Sequence, residues 1–168
     1  RDIPKYVHYC WFGKGEKSEL SQKCIMSWKR FLTGYTFIEW NEDNCDIGLL
    51  PYVHQAYDNK KYAFVSDYFR LKALYEYGGI YFDTDYELIK PIDSVLKTKG
   101  NLITGLESID NALTAIIITE AHNSIIKELM DTYQNRQFVN SNGQMDLTPI
   151  NVGFSHVLQK YGIDLKKN

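Results

Sequence analysis

No run of about 18 apolar residues occurs in the 168-residue chain, so nothing in it reads as a membrane-spanning helix. Basic residues are in no excess. Nineteen Lys and Arg stand against 21 Asp and Glu, a net charge of −2, without a basic stripe or polybasic tract. The charge pattern therefore indicates neither nucleic acid nor an anionic membrane surface as a partner. Cysteine is scarce. Cys10, Cys24 and Cys45 are separated by 13 and 20 residues, which fits no metal knuckle, and an odd count argues against a disulfide framework. Three reduced thiols in a cytoplasmic protein are the expectation. The opening RDIPKYVHYCWF lacks the layout of a signal peptide, and there is no internal repeat or low-complexity linker. Aromatic residues, by contrast, are plentiful at 14%, with 13 Tyr. That count alone does not choose between a core, a sugar-binding cleft and an interface.

The length predicts one domain with a sizeable core. IPKYVHYCWFG (3–13) reads as a first strand, with Val7, Tyr9 and Trp11 alternating with His8 and Cys10. Ser18 is placed to cap a helix reaching about Leu32, and YTFIEWN (35–41) reads as a second strand. A short helix is expected after Pro51. A longer one over Tyr62–Tyr77 is stopped by Gly78 as a left-handed cap, and the strand GIYFDTD follows. NLITGLE (101–107) and ALTAIII (112–118) read as strands, and His122–Asn135 as a helix. Thr148 before Pro149 reads as a cap and first turn, opening a last helix that Gly162 ends. Strands alternating with helices predict an α/β domain with a mostly parallel central sheet flanked by helices. In open sheets of that kind, ligands bind at the carboxyl ends of the strands.

Asp83 and Asp85 fall at such an end. On a strand, residues two apart share a face about 6–7 Å apart. Two carboxylates that close repel unless a cation or proton lies between them. A hard divalent cation whose remaining positions go to water or phosphate suits the pair. The bland alternative is one aspartate capping a turn and the other solvated. The preceding helix, YAFVSDYFRLKALYEY, sets a second puzzle. At 100° per residue, Ala63, Phe64, Leu71 and Leu74 fall within about 60° on either side of Asp67. Asp67 is thus centred on an apolar stripe, where an unpaired carboxylate is costly. Arg70, three residues on, is in reach. Either the two form a structural ion pair, or both emerge at a ligand, with Arg70 for anionic or hydroxyl oxygens and Asp67 accepting from hydroxyls. Gly78 and Gly79 then turn the chain towards Asp83 and Asp85, so all four charges are expected to converge on one cleft.

The run YAFVSDYFRLKALYEYGGIYFDTD resembles glycosyltransferase family 32, the DXD-containing sugar transferases of the capsular-polysaccharide type. The matching positions are Ala63, Ser66, Asp67, Arg70, Leu74, Gly78, Gly79, Tyr81, Asp83 and Asp85. IPKYVHYCWFG is similar to the family's first strand, and SWKRF with EWNEDN to its second unit, so the likeness runs from Ile3 to about Leu96. The clostridial glucosylating toxins share the core pattern. The resemblance implies a GT-A type fold, a nucleotide-sugar donor (a UDP-sugar ahead of a GDP-sugar), Mn2+ or Mg2+, and transfer with retention at the anomeric carbon. Carried over by position, Trp11 would stack on the base and Ser66 would lie near the ribose. Asp67 and Arg70 would hold the donor sugar, with Tyr81 beside them. Asp83 would contact ribose and sugar and share the metal with Asp85. Asp67, Arg70, Asp83 and Asp85 would form the catalytic set.

The resemblance further implies a glycan or lipid-linked glycan acceptor and a role in surface polysaccharide synthesis in the cytoplasm, with peripheral contact at the inner face of a membrane left open. A family segment ending H-H-x-x-x-S-W is not found before Asn168, so residues 1–168 are expected to be one glycosyltransferase domain without that C-terminal segment. Past Leu96 the likeness is loose. Glu107 is a candidate near the acceptor, whereas His122 and His156 read as ordinary helix residues and His8 as core or rim. Two other readings remain. A phosphatase of the haloacid dehalogenase type also uses D-x-D after an apolar strand, but there the pair ends the first strand, and here two βα units precede it. A non-catalytic nucleotide-sugar binding remnant is the other, although both aspartates are present.

Overall fold

The computed structural model describes residues 3–97, 102–106 and 112–161. A five-stranded sheet carries the fold, in the order β2-β1-β3-β5-β4. β1 (Tyr6–Cys10) runs parallel to β2 (Thr36–Trp40) on one side and to β3 (Gly79–Phe82) on the other. β5 (Ala112–Thr119) is antiparallel to both β3 and β4 (Leu102–Leu106). The sheet is therefore mostly but not entirely parallel: one strand of the five is reversed.

Helices cover both faces, and side-chain alternation along the strands sorts the core into two layers. Val7, Tyr9, Ile80, Phe82 and Ile118 pack with Cys24, Ile25 and Trp28 of α1 (Glu19–Phe31). Cys10, Tyr81 and Ile117 face the other way, into a larger cluster. That cluster is built from α2 (Pro51–Asp58), α3 (Tyr62–Tyr77), α5 (Ser124–Asp131) and α6 (Ile150–Lys160). A single turn of helix, α4 (Asp93–Leu96), lies in the connection after β3. Among the described residues no helix is long and apolar enough to cross a membrane.

The local signals act largely as their chemistry dictates. Ser18 is the N-cap of α1, its hydroxyl accepting from the Ser21 N–H, and Pro51 opens α2. α3 occupies Tyr62–Tyr77 and ends at Gly78. Four expectations need correction. Gly78 has φ 67° and ψ −177°, which is not the left-handed helical cap but an extended, positive-φ state open to glycine. α6 begins at Ile150 with Pro149 as its N-cap, one residue later than the Thr148 cap predicts. His122 precedes its helix, at φ 61°, because Asn123 is the cap and accepts from the Ile125 and Ile126 N–H groups. Trp11 lies one residue beyond β1. Glu107 and Gly162 lie outside the described residues.

The corner between α3 and β3 positions everything that follows. Gly78 and Gly79 have φ of 67° and 110°. A Cβ on Gly78 would stand 2.5 Å from the Ala121 backbone nitrogen, and one on Gly79 would run into the Tyr6 carbonyl. The close approach lets α3 turn directly into the middle strand of the sheet.

Candidate active site

A cavity of about 510 Å3 opens at the carboxyl ends of β1 and β3. Among its lining residues are Trp11, Ser66, Arg70, Tyr81, Asp83 and Asp85. Asp67 is not among them. It sits behind Arg70 in the core, so three of the four predicted charges line the cleft and the fourth backs it.

Arg70 is the hub. It is only 4% exposed. One terminal nitrogen donates to the Thr114 carbonyl at 3.0 Å and lies 3.1 Å from Asp83 Oδ1. The other donates to Asp67 Oδ1 at 3.0 Å and to the Ser66 hydroxyl at 3.2 Å. The guanidinium stacks over the Tyr81 ring, 4.6 Å from its centroid, and the Tyr81 hydroxyl donates to Asp83 Oδ1 at 2.9 Å. Burial alone would loosen the Arg70 proton, but Tyr81, Asp83 and Asp67 outweigh it and raise the pKa, so the cation persists. Burial, with the like charge of Asp83 adding to it, pushes the Asp67 carboxyl up to about 6 against the pull of Arg70 and Arg136. The pair is the structural ion pair of the first reading, and of the two residues only Arg70 also reaches the cleft, so the expectation that both emerge there holds for Arg70 and not for Asp67.

β3 ends at Phe82, so Asp83 and Asp85 do not share a strand face as expected. They lie in a turn closed by the Tyr86 N–H donating to the Asp83 carbonyl at 3.0 Å. The turn still points both into the cavity lining. Their surroundings differ: Asp83 is half-buried with one oxygen committed to Arg70 and Tyr81, while Asp85 is exposed. Hard carboxylate oxygens of this kind fit a magnesium or manganese ion. Among the described residues no group of three or more His, Cys, Asp and Glu could hold a metal. These two would thus be a partial shell that a ligand's own oxygens complete.

Trp11 is half-buried at the cavity wall. Its backbone N–H donates to the Trp40 carbonyl at 2.9 Å and its indole N–H to the Gly15 carbonyl at 2.8 Å. The wall also includes Phe12, Tyr62 and Thr84, which sequence reasoning missed. Tyr62 packs against Gly13, a contact that no spacing in the sequence announces. That glycine has φ 96°, and a Cβ on it would be 2.5 Å from the tyrosine ring. The Thr114 carbonyl was beyond reach, since a backbone group carries no residue signature. Cys10 lines the cavity as well, but burial raises its thiol pKa and disfavours a thiolate.

Residues 18–101, half of the chain, match a family described as a glycosyltransferase sugar-binding region containing a DXD motif. Among solved structures, the PaToxG glycosyltransferase superposes with a TM-score of 0.66 at 16% identity, covering 99% of this chain and 80% of that one. The ligand-free glycosyltransferase domain from the YGT toxin gives 0.52 at 11% identity, covering 96% and 69%. At these identities the likeness is one of fold, and it is the GT-A type α/β fold expected. No curated protein matches.

Proposed function

Because the chain belongs to the glycosyltransferase sugar-binding regions that contain a DXD motif, we propose that it moves a sugar from a nucleotide-diphosphate donor to a glycan acceptor. Retention at the anomeric carbon and a role in surface polysaccharide synthesis complete this reading. The observation that carries it is Arg70, whose guanidinium joins Ser66 and Asp67 of α3 to Asp83 of the DXD turn at the edge of one cavity.

Each residue then has a physical task. Trp11 offers a ring face at the cavity wall on which a base can stack. The Ser66 hydroxyl and the Asp83 oxygen not held by Tyr81 would meet hydroxyls of the donor's ribose and sugar. Arg70 keeps a fixed positive charge where the leaving diphosphate gains negative charge, and its orientation is set before any ligand binds. Asp85, with Asp83, would hold a divalent cation, whose chemistry is to neutralise and orient the diphosphate as the sugar departs. A uridine nucleotide is the donor to test first.

The test is calorimetric titration of UDP and GDP, each with and without manganese, on the wild type and on Asp83→Asn and Asp85→Asn. Manganese-dependent binding of one nucleotide, lost in the variants, is the expected outcome. Binding of neither nucleotide would favour a non-catalytic domain.

A further inference from the structure

The two aspartates of the turn are not held in the same way. Asp83 is fixed through its own side chain by Arg70 and Tyr81. Asp85 is exposed, and its position rests on the backbone of residues 82–88. That backbone is gripped from the opposite face of the sheet by α1. Trp28 is fully buried and stacks on Phe82 with centroids 4.9 Å apart, and Phe82 stacks on Tyr86 at 5.6 Å. The Trp28 indole N–H donates to the Tyr86 carbonyl at 2.6 Å. One residue earlier in α1, the Ser27 hydroxyl accepts from the Leu88 N–H at 3.0 Å while donating to the Cys24 carbonyl at 2.5 Å. The residues on both sides of Asp85 are therefore tied to one rigid helix.

We propose that Trp28 and Ser27 are positioning residues for Asp85: by clamping the turn from behind, they hold its carboxylate where a divalent cation on the donor diphosphate needs it. The proposal rests on the reading of Asp85 as a metal ligand. The physical reason is preorganisation. A carboxylate on a free turn must be ordered when the ion binds, and a partner that orders it beforehand raises the affinity; loss of such outer partners costs on the order of 10–100-fold in metal affinity. Asp83 does not need the clamp, because its order comes from the core.

The experiment follows Mn2+ binding by electron paramagnetic resonance with saturating UDP and, in parallel, GDP, and measures binding of the same nucleotides in EDTA. Trp28→Phe keeps the aromatic stack and removes the indole N–H. Ser27→Ala removes the hydroxyl that accepts from the Leu88 N–H and donates to the Cys24 carbonyl, and Ser27→Thr restores a hydroxyl. Manganese affinity should fall roughly tenfold in Trp28→Phe and several-fold in Ser27→Ala, and return in Ser27→Thr, while binding in EDTA stays within about twofold. Equal losses with and without metal would mean that the clamp serves the fold alone and would overturn the proposal, as would unchanged manganese affinity. Asp85→Asn separates the two levels. If it abolishes manganese binding while Trp28→Phe and Ser27→Ala do not weaken it, only the clamp fails. If Asp85→Asn leaves manganese binding intact, or neither nucleotide binds, the metal reading and the clamp fall together.

Discussion

One side of the cavity is finished before a ligand arrives, and the other is left open. On the α3 side, Asp67 and Arg70 are buried, mutually paired and anchored to the Thr114 carbonyl across the sheet. On the side of the β3 turn, Asp83 is half-buried and Asp85 exposed. A buried ion pair costs desolvation that its attraction only partly offsets, so it is weak evidence for stability. Here the cost leaves a cation whose geometry needs no rearrangement. The open side keeps carboxylates that water hydrates until a better partner takes over. The contrast teaches that the fold supplies orientation on one wall and exchangeable charge on the other.

Removing Arg70 attacks the finished wall and should have the largest effect. Arg70→Ala leaves Asp67 buried without its near partner, and a loss of about 3–5 kcal/mol is expected in urea unfolding. A loss below about 1 kcal/mol would mean that the wall is not organised around this cation. The pH dependence of Asp67 comes next. Its carboxyl titrates near 3.8 when unfolded and about 6 when folded, so between these values the native state holds more protons. Its contribution to stability is full below about pH 4 and is lost as pH rises through 6, by roughly 2–3 kcal/mol. His8 runs the other way: burial lowers it from 6.5 to about 4, so its contribution falls as pH drops. Unfolding measured from pH 4 to 7 should therefore show Asp67→Asn gaining on the wild type as pH rises, exposing the His8 slope; parallel curves would refute the buried-acid assignment. Trp11→Ala should weaken nucleotide binding by about 1–3 kcal/mol in calorimetry, and equal affinity would make Trp11 a packing residue. The smallest effect belongs to the open wall. Asp85→Asn should change unfolding stability by no more than about 0.5 kcal/mol while removing metal-dependent binding, and a large stability loss would erase the distinction between the two walls.

Much of the finished wall was legible in the sequence. Asp67 amid apolar neighbours at helical spacing demanded a partner, and Arg70 was the residue in reach. Gly78 and Gly79 marked the end of α3 because no other residue adopts their backbone there at low cost. Less could be read of the open wall. The apolar run GGIYF invited extension of the strand through Asp85, yet β3 stops at Phe82 and a turn takes over. The reversal of β5 was invisible as well. ALTAIIIT is mostly apolar, and such a run carries no mark of its strand's direction. With that direction hidden, nothing in the sequence could tell that Thr114 would bring its carbonyl to Arg70.

The two glycines of the corner also govern which changes of length the chain can accept. Along β3, Ile80 and Phe82 face α1 while Tyr81 faces the cavity side, where it supports both Arg70 and Asp83. One residue inserted between Gly79 and Ile80 would turn the strand over, sending Tyr81 into the α1 layer and Ile80 beneath the guanidinium. The thirteen steps from Arg70 to Asp83 are thus a fixed interval. Its length cannot drift, and a lineage carrying this site must keep it free of insertions and deletions even where residues other than the two glycines and the site side chains diverge.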